Sequence, residues 1–339
     1  MTKKIIYIDN FLSKHGYLPT IAEVLVKQLR TEGYEIICSS NVKNKALRLP
    51  DMLKTIWANR KNSIALIATY STDAFYFACV CASYCRLLNI KYIPCLHGGD
   101  LPGRIKKSRS LSKKIFGKAY INVAVSGYLQ QAMQQNNWPA TCIPNPINIE
   151  LYNFKERAAC KPRLLWVRSF HQLYNPKLAI HILAKLVPEY PDAVLLMIGP
   201  DKDGSFAECI QLAKELKVES NILFKGFVTK EEWTALSVQY DLFINTTNFD
   251  NLPVSVIEAM ALGMVVISTD VGGLPYLITN NQDGVLVPPL DADAFVSAVN
   301  NVLNNPAIAN GLSLAARKSA MKYDWSNVRT LWNNLLQDI

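Results

Sequence analysis

No run in this chain reaches the ~20 mostly apolar residues that a membrane-spanning helix needs. The best candidate, AFYFACVCASYC at 74–85, is too short and ends at Arg86. No GxGxxG follows any apolar run, so the dinucleotide fingerprint is missing and a nicotinamide-dependent oxidoreductase is disfavoured. No CxxC occurs either. The eight cysteines are scattered, and most sit inside apolar runs. Cys79, Cys81 and Cys85 have no histidine beside them and read as small buried hydrophobes. A chain of this length builds its core without disulfides, so reduced thiols are expected. No nucleic-acid-binding module is recognisable, and no nucleic-acid partner is expected. The start, MTKKIIYIDNF, offers two lysines but only a strand-length apolar run. It reads as a first strand and not as a signal peptide.

What is present is ordinary globular composition: half of the 339 residues are hydrophobic and 19% are charged. That length suggests two domains. The charge is uneven. Residues 1–145 carry 20 basic against 7 acidic residues, and residues 146–339 carry 16 against 20. The densest basic stretch is GRIKKSRSLSKKIFGK at 103–118, with seven basic residues. It reads either as a solvated helix and loop or, over 104–118, as a surface for an anionic membrane or an anionic acceptor.

Strands are expected at 4–9, 34–40, 63–69, 91–98, 120–126 and 141–148, with helical spacing at 20–30, 73–87 and 127–136 between them. The second half repeats the style, with strands at 163–169, 193–200, 222–228, 241–247, 264–270 and 284–289. Continuous apolar runs such as MVVIS fit strands buried on both faces. Alternation at this spacing predicts an α/β chain of two Rossmann-like, doubly wound domains facing across a cleft. Their expected spans are 1–147 and 148–324, with a last helix at 325–339 returning to the first. In such sheets ligands bind beyond the carboxyl ends of the strands.

The candidate residues therefore lie just after strands. Gly16 precedes a helix start, where free N–H groups favour phosphate. His97 opens HGGD after an expected strand. Arg168 follows RLLWV, and Lys177 opens the next helix; both could meet phosphate charge. Asp201-Lys202-Asp203 and Asp291-Ala292-Asp293 match DxD, a pattern short enough to arise by chance. The most informative stretch is NFDNLPVSVIEAMALG at 248–263. Asp250 sits in a loop, Pro253 stands near a helix start, and Glu258 lies eight residues after Asp250 in an apolar helix. A helix start offers N–H groups to a diphosphate. A carboxylate can hold a vicinal diol, and a ligand diol would offset the cost of burying Glu258. Gly272-Gly273 follow the next strand and allow close approach of a ligand or of the facing domain.

Together these residues resemble the signature of family 4 retaining glycosyltransferases with the GT-B fold. Asp250 and Glu258 are followed by Ala-Met-Ala-x-Gly, then VVIST and Gly-Gly. HGGD, IPNPIN, KGF and a Trp-rich C-terminal helix fall where that family has counterparts. The resemblance implies transfer of a sugar from a nucleotide-sugar donor with retained configuration and no required metal or other cofactor. It implies that Glu258 holds the donor ribose and Asp250 the sugar hydroxyls. Backbone at Asn251, Leu252, Pro253 and Val254 would meet the sugar and diphosphate, with Arg168 and Lys177 as the cationic pair. Gly226 and Phe227 would meet the base, and His97 the sugar. The chain departs from the pattern in four places. Asp250 stands where the family usually has Glu, and Lys177 lies nine residues after Arg168 instead of about five. Tyr276 replaces an acid, and the first glycine loop is reduced to His15-Gly16-Tyr17.

The expectation is a cytoplasmic enzyme, peripheral at the inner face of the membrane. It would add sugar to a glycan or lipid-linked acceptor in surface polysaccharide biosynthesis. The alternatives are a non-catalytic scaffold or sensor that keeps the donor site, and an epimerase or hydrolase of sugar nucleotides.

Overall fold

The computed structural model describes residues 4–15 and 20–337. Gly16, expected as a phosphate contact, lies outside them. The chain divides into two compact units, Met1–Pro146 with Val328–Ile339, and Ile147–Asn327.

The first unit alternates β1 (Lys4–Ile8), α1 (Ile21–Thr31), β2 (Ile36–Ser39), α2 (Lys45–Ala58), β3 (Ser63–Thr69), α3 (Ala74–Leu87) and β4 (Lys91–Leu96). It continues through α4 (Leu101–Lys107), α5 (Arg109–Phe116), β5 (Asn122–Ala124), α6 (Gly127–Gln134) and β6 (Ala140–Cys142). The strands form one parallel sheet in the order β2-β1-β3-β4-β5-β6. The winding reverses between β1 and β3, so the loops after those strands flank the switch point. Thr20 and Glu23 form a reciprocal capping box that starts α1. Helix α2 is absent from the expected pattern, for two reasons. Pro50 lies inside it, and Arg48 takes the first position of its buried stripe Arg48, Met52, Ile56. The Arg48 guanidinium is satisfied by the carbonyls of Val42 and Lys43 and by Asn10.

The second unit runs β7 (Arg163–Val167), α7 (Pro176–Leu186), β8 (Val194–Ile198), α8 (Ser205–Glu215), β9 (Ile222–Lys225), α9 (Lys230–Ser237) and β10 (Leu242–Asn245). It goes on through α10 (Val254–Ala261), β11 (Val265–Thr269), α11 (Leu274–Leu277), β12 (Val285–Val287), α12 (Ala292–Asn304) and α13 (Pro306–Ala320). The parallel order is β12-β11-β10-β7-β8-β9. Strands β10 and β11 are buried along their whole length, which explains why their sequences are apolar without alternation. The switch point lies between β7 and β10. Helix α13, also missing from the expected pattern, is separated from α12 only by Asn305, with Pro306 as its first residue. The last helix, α14 (Trp325–Gln337), belongs from Val328 onward to the first unit. There Asn333 accepts from the Tyr34 hydroxyl at 2.9 Å and Arg329 pairs with Glu32 at 3.7 Å.

Candidate functional site

The loops after β7 and β10 meet at the switch point of the second sheet, and they carry opposite charges. Arg168, the first residue after β7, donates from Nη2 to Asp250 Oδ2. Its guanidinium carbon stands 4.0 Å over the Tyr174 ring. The other Asp250 oxygen accepts the Asn251 N–H at 2.8 Å. Both side chains are only 14% exposed, so the pair is stronger than a surface ion pair. Threonines set the loops. Trp166 Nε1–H donates to Thr246 Oγ1 at 3.0 Å, and that hydroxyl reaches the carbonyls of Tyr174 and Asn175. The Thr247 hydroxyl lies within hydrogen-bond reach of the Phe249 carbonyl, and the Asn248 N–H donates to the Leu173 carbonyl.

Gly272 and Gly273 buttress this loop. A Cβ on Gly273 would stand 1.7 Å from the Asn251 carbonyl oxygen, and one on Gly272 2.1 Å from that of Asp250. The Gly273 N–H donates to the Asp250 carbonyl at 2.9 Å. The close approach that these glycines permit is thus to the Asp250 loop of their own unit, where a ligand or the other domain was expected.

Glu258 lies in the second turn of α10 and is 4% exposed. The cost of burying it is met within the chain, where a ligand diol was expected to meet it. The Tyr152 hydroxyl donates to Oε1 at 2.6 Å, and Lys230 Nζ stands 2.5 Å from the same oxygen. Burial, followed by the neighbouring Glu258 charge, raises the Tyr152 pKa, so the hydroxyl stays protonated and donates. Sequence reasoning missed both partners. Tyr152 sits in the connection before β7, and Lys230 is the first residue of α9. The signal for Lys230 was the Thr229/Glu232 capping box, which marks a helix start just after a strand end.

The start of α10 has Pro253 as its cap and no side-chain cap bond. Asn251, Leu252 and Pro253 are buried against it, and Val254 is half-buried. The Ser255 hydroxyl in its first turn is buried without a partner. After β9, Gly226 has open space where a Cβ would stand, and Phe227 is 56% exposed. Lys177 is not joined to Arg168 through a shared partner. It pairs with Glu208 of α8 at 2.8 Å with both side chains about half exposed. Three of the four DxD acids serve backbone N–H groups, and Asp293 pairs with Lys185 at 2.7 Å. Asp201 accepts from Gly204, Asp203 from Gln172 and Ser205, and Asp291 caps α12 at Ala294. Among the described residues no group of three or more His, Cys, Asp or Glu side chains is arranged to hold a metal.

In the first unit His97 follows β4, its N–H bonded to the Thr69 carbonyl at 3.0 Å. Its ring lies 5.7 Å from that of Tyr70, and both ring nitrogens are buried without a partner. Burial pushes its pKa down to about 4, so the ring is neutral. Tyr70 donates to Asp9 Oδ2 at 3.1 Å. Asp9, just after β1, is 4% exposed, and burial raises its carboxyl to about 6. The basic stretch forms α4 and α5. Arg104 is turned inward, bonded to the Ser71 carbonyl and set against Phe75 and Tyr76. Lys106, Lys107, Arg109, Lys113, Lys114 and Lys118 are exposed, while Ile105, Ile115 and Phe116 enter the core. The eight cysteines are free thiols, and no helix among the described residues is long and apolar enough to cross a membrane.

A family model described as glycosyl transferases group 1 matches residues 149–319. Among curated proteins, glycogen synthase of Mycobacterium tuberculosis is 28% identical over 196 residues, covering 56% of this chain and 46% of the relative. The chain thus spans under half the length of that relative. Among solved structures, sucrose-phosphate synthase from Thermosynechococcus elongatus superposes with a TM-score of 0.80 at 18% identity, covering 99% of this chain and 98% of that one. The Anabaena protein HepE, solved in complex with UDP, superposes at 0.77 and 15% identity, covering 99% of this chain and 100% of that one. At those identities the structural likeness speaks for the fold, two doubly wound domains of the GT-B kind.

Proposed function

The chain belongs to the group 1 glycosyl transferases, and from that membership we propose that it is a retaining hexosyltransferase. It would move a sugar from a nucleotide-sugar donor to a glycan or lipid-linked acceptor in the assembly of a surface polysaccharide. The observation that carries this reading is the Arg168–Asp250 pair at the switch point, beside the uncapped start of α10. Anabaena HepE was solved with UDP, which supports a nucleotide donor here.

The reaction breaks the bond between the sugar carbon and the diphosphate oxygen. Positive charge grows on the ring and negative charge on the leaving diphosphate. The Arg168 guanidinium and the N–H of Val254 would stabilise the leaving group, as preorganised charge does in many enzymes. Lys177 would add a second cation by exchanging Glu208 for the diphosphate, and no metal would be required. Asp250, released from Arg168, would accept from the sugar hydroxyls. Asn251, Leu252 and Pro253 would line the sugar, and Glu258 would hold the ribose. Gly226 leaves room for the base, with the exposed Phe227 ring beside it. His97 would present a neutral ring to a sugar hydroxyl. The acceptor oxygen would bond to the sugar carbon on the face that the diphosphate leaves, and its proton would pass to the diphosphate.

The setting would be cytoplasmic, at the inner membrane face. Because α4 and α5 spend their apolar side chains on the core, attraction to an anionic leaflet would be electrostatic, about 1 kcal/mol per basic residue near the surface.

The decisive experiment offers UDP-, GDP- and ADP-sugars with lipid-diphosphate-linked sugars as acceptors and measures nucleotide release and product. Acceptor-dependent release that Asp250→Ala abolishes is expected. Release without acceptor would point to a hydrolase or epimerase. Tight donor binding without turnover on any acceptor would point to a sensor. Flotation with anionic vesicles tests the surface: loss on neutralising the exposed lysines and arginines of 106–118 is expected, and equal flotation would refute it.

A further inference from the structure

Glu258 is the only acid of α10, and its two oxygens differ in their surroundings. The Tyr152 hydroxyl and Lys230 Nζ both converge on Oε1, at 2.6 and 2.5 Å. A carboxylate oxygen offers two lone-pair sites, so these donors fill Oε1 and direct further donors to Oε2. Three separate segments fix the carboxylate: α10 carries it, the turn at Ile149–Leu151 delivers Tyr152, and the start of α9 delivers Lys230. The two donors also support each other, with Lys230 Nζ lying 5.4 Å from the centre of the Tyr152 ring. Tyr152 is 1% exposed, whereas the Lys230 side chain is 46% exposed and reaches inward to an acid whose side chain is 6% exposed.

Resting on the reading that Glu258 holds the donor ribose, we propose that Tyr152 and Lys230 are positioning residues of the donor site, holding the Glu258 carboxylate so that Oε2 accepts from the ribose diol. Ordering a long lysine side chain costs rotamer entropy. Spending it here gives the site a carboxylate whose direction is set before the ligand arrives, and preorganisation of this kind converts directly into affinity. Neither residue needs to touch the donor. Their effect passes through Glu258, so it must vanish when the ribose hydroxyls are absent.

The test is calorimetric binding of whichever of UDP, GDP and ADP binds most tightly, beside its 2′,3′-dideoxy counterpart. Lys230→Met and Tyr152→Phe are each expected to weaken the ribonucleotide roughly tenfold, the scale of losing one charge-assisted hydrogen bond. Each is expected to leave the dideoxy nucleotide within about twofold, since no diol is there for Oε2 to hold. Lys230→Arg is expected to recover most of the loss, and in turnover the change should fall on KM with kcat preserved. An equal loss for both nucleotides would overturn the proposal, because Lys230 would then act on the diphosphate or base itself. Unchanged binding of both would overturn it too. Glu258→Ala separates this from the underlying reading. If that variant still prefers the ribonucleotide, the ribose assignment fails. If it loses the preference while Lys230→Met and Tyr152→Phe keep it, only the positioning role fails.

Discussion

The two sheets are wound in different orders, and each gathers polar side chains at strand ends near its switch point. They settle buried charge in opposite ways. In the first unit, Asp9 and the ring nitrogens of His97 are buried without a full counter-charge, and burial moves both groups toward their neutral forms, at about 6 and about 4. In the second, three acids face cations: Asp250 with Arg168, Glu258 with Lys230, and Asp241 with Lys155 at 3.0 Å, while the buried Asp283 accepts from the Ser319 hydroxyl and the Thr279 N–H. The excess basic charge of the first unit does not alter this, since its densest stretch, on α4 and α5, stands exposed. A site of neutral groups suits hydroxyl-rich ligands, whereas ion pairs that a ligand can open suit a diphosphate. The two strand-end sites are therefore chemically distinct despite a shared architecture.

Breaking the pairing of the second unit should have the largest effect. Arg168→Met removes the cation at the switch point, and donor turnover is expected to fall by ~10²–10³ in kcat, as when one preorganised donor is lost. The same change leaves Asp250 unpaired and should cost about 1–3 kcal/mol of stability, read from urea unfolding. Gly273→Ala attacks the support of the same loop. Its Cβ would meet the Asn251 carbonyl oxygen at 1.7 Å, so backbone must move, and a loss of about 2–4 kcal/mol with near-complete loss of turnover is expected. A variant of wild-type stability and activity would show that the loop does not need this close packing.

The neutral groups of the first unit predict a pH signature. Asp9 holds its proton more tightly folded than unfolded, so its contribution to stability falls as pH rises from about 4 to about 6. His97 holds its proton less tightly folded, so its contribution rises with pH between about 4 and about 6.5. The two slopes oppose each other, and each is worth about 3 kcal/mol over its window. Wild type should therefore respond weakly to pH there. Asp9→Asn should expose the histidine slope and lose stability as pH falls from 6.5 to 4, whereas His97→Gln should expose the reverse. Denaturant midpoints across that range measure both, and identical pH profiles for the two variants would break the contrast between the units.

The sequence showed the alternation of strands and helices because buried parallel strands are apolar throughout, and MVVIS or VLLMI has no other use in a chain of this composition. It showed Asp250 and Glu258 because an acid in or beside an apolar run needs a partner. It could not name the partner. Tyr152 lies 106 residues from Glu258, and Lys230 is one of many lysines on polar segments. Helix α2 was hidden because an arginine stands in its buried stripe and a proline within it. Gly272 and Gly273 were visible as a close approach, but what approaches them depends on which loop the sheet order places beside β11. Asp9 was passed over because it falls as the last residue of the expected strand 4–9. Only its burial and the Tyr70 hydroxyl distinguish it.

The smallest expected effect sharpens the contrast within the second unit. Arg168 follows β7 and Lys177 stands in the first turn of α7, but Lys177 pairs with Glu208 in the open, with each side chain about 48% exposed. An exposed pair contributes ~0–1 kcal/mol, so Lys177→Met should leave the unfolding midpoint nearly unchanged. If Lys177 leaves Glu208 to meet the diphosphate, that variant should weaken donor binding by up to ~10-fold, with the loss shrinking as salt screens the charge. Glu208→Gln should then do the opposite and tighten donor binding slightly, because it frees the lysine without removing it. Equal, salt-independent binding in both variants would leave Arg168 as the cation of the switch point that acts on the donor.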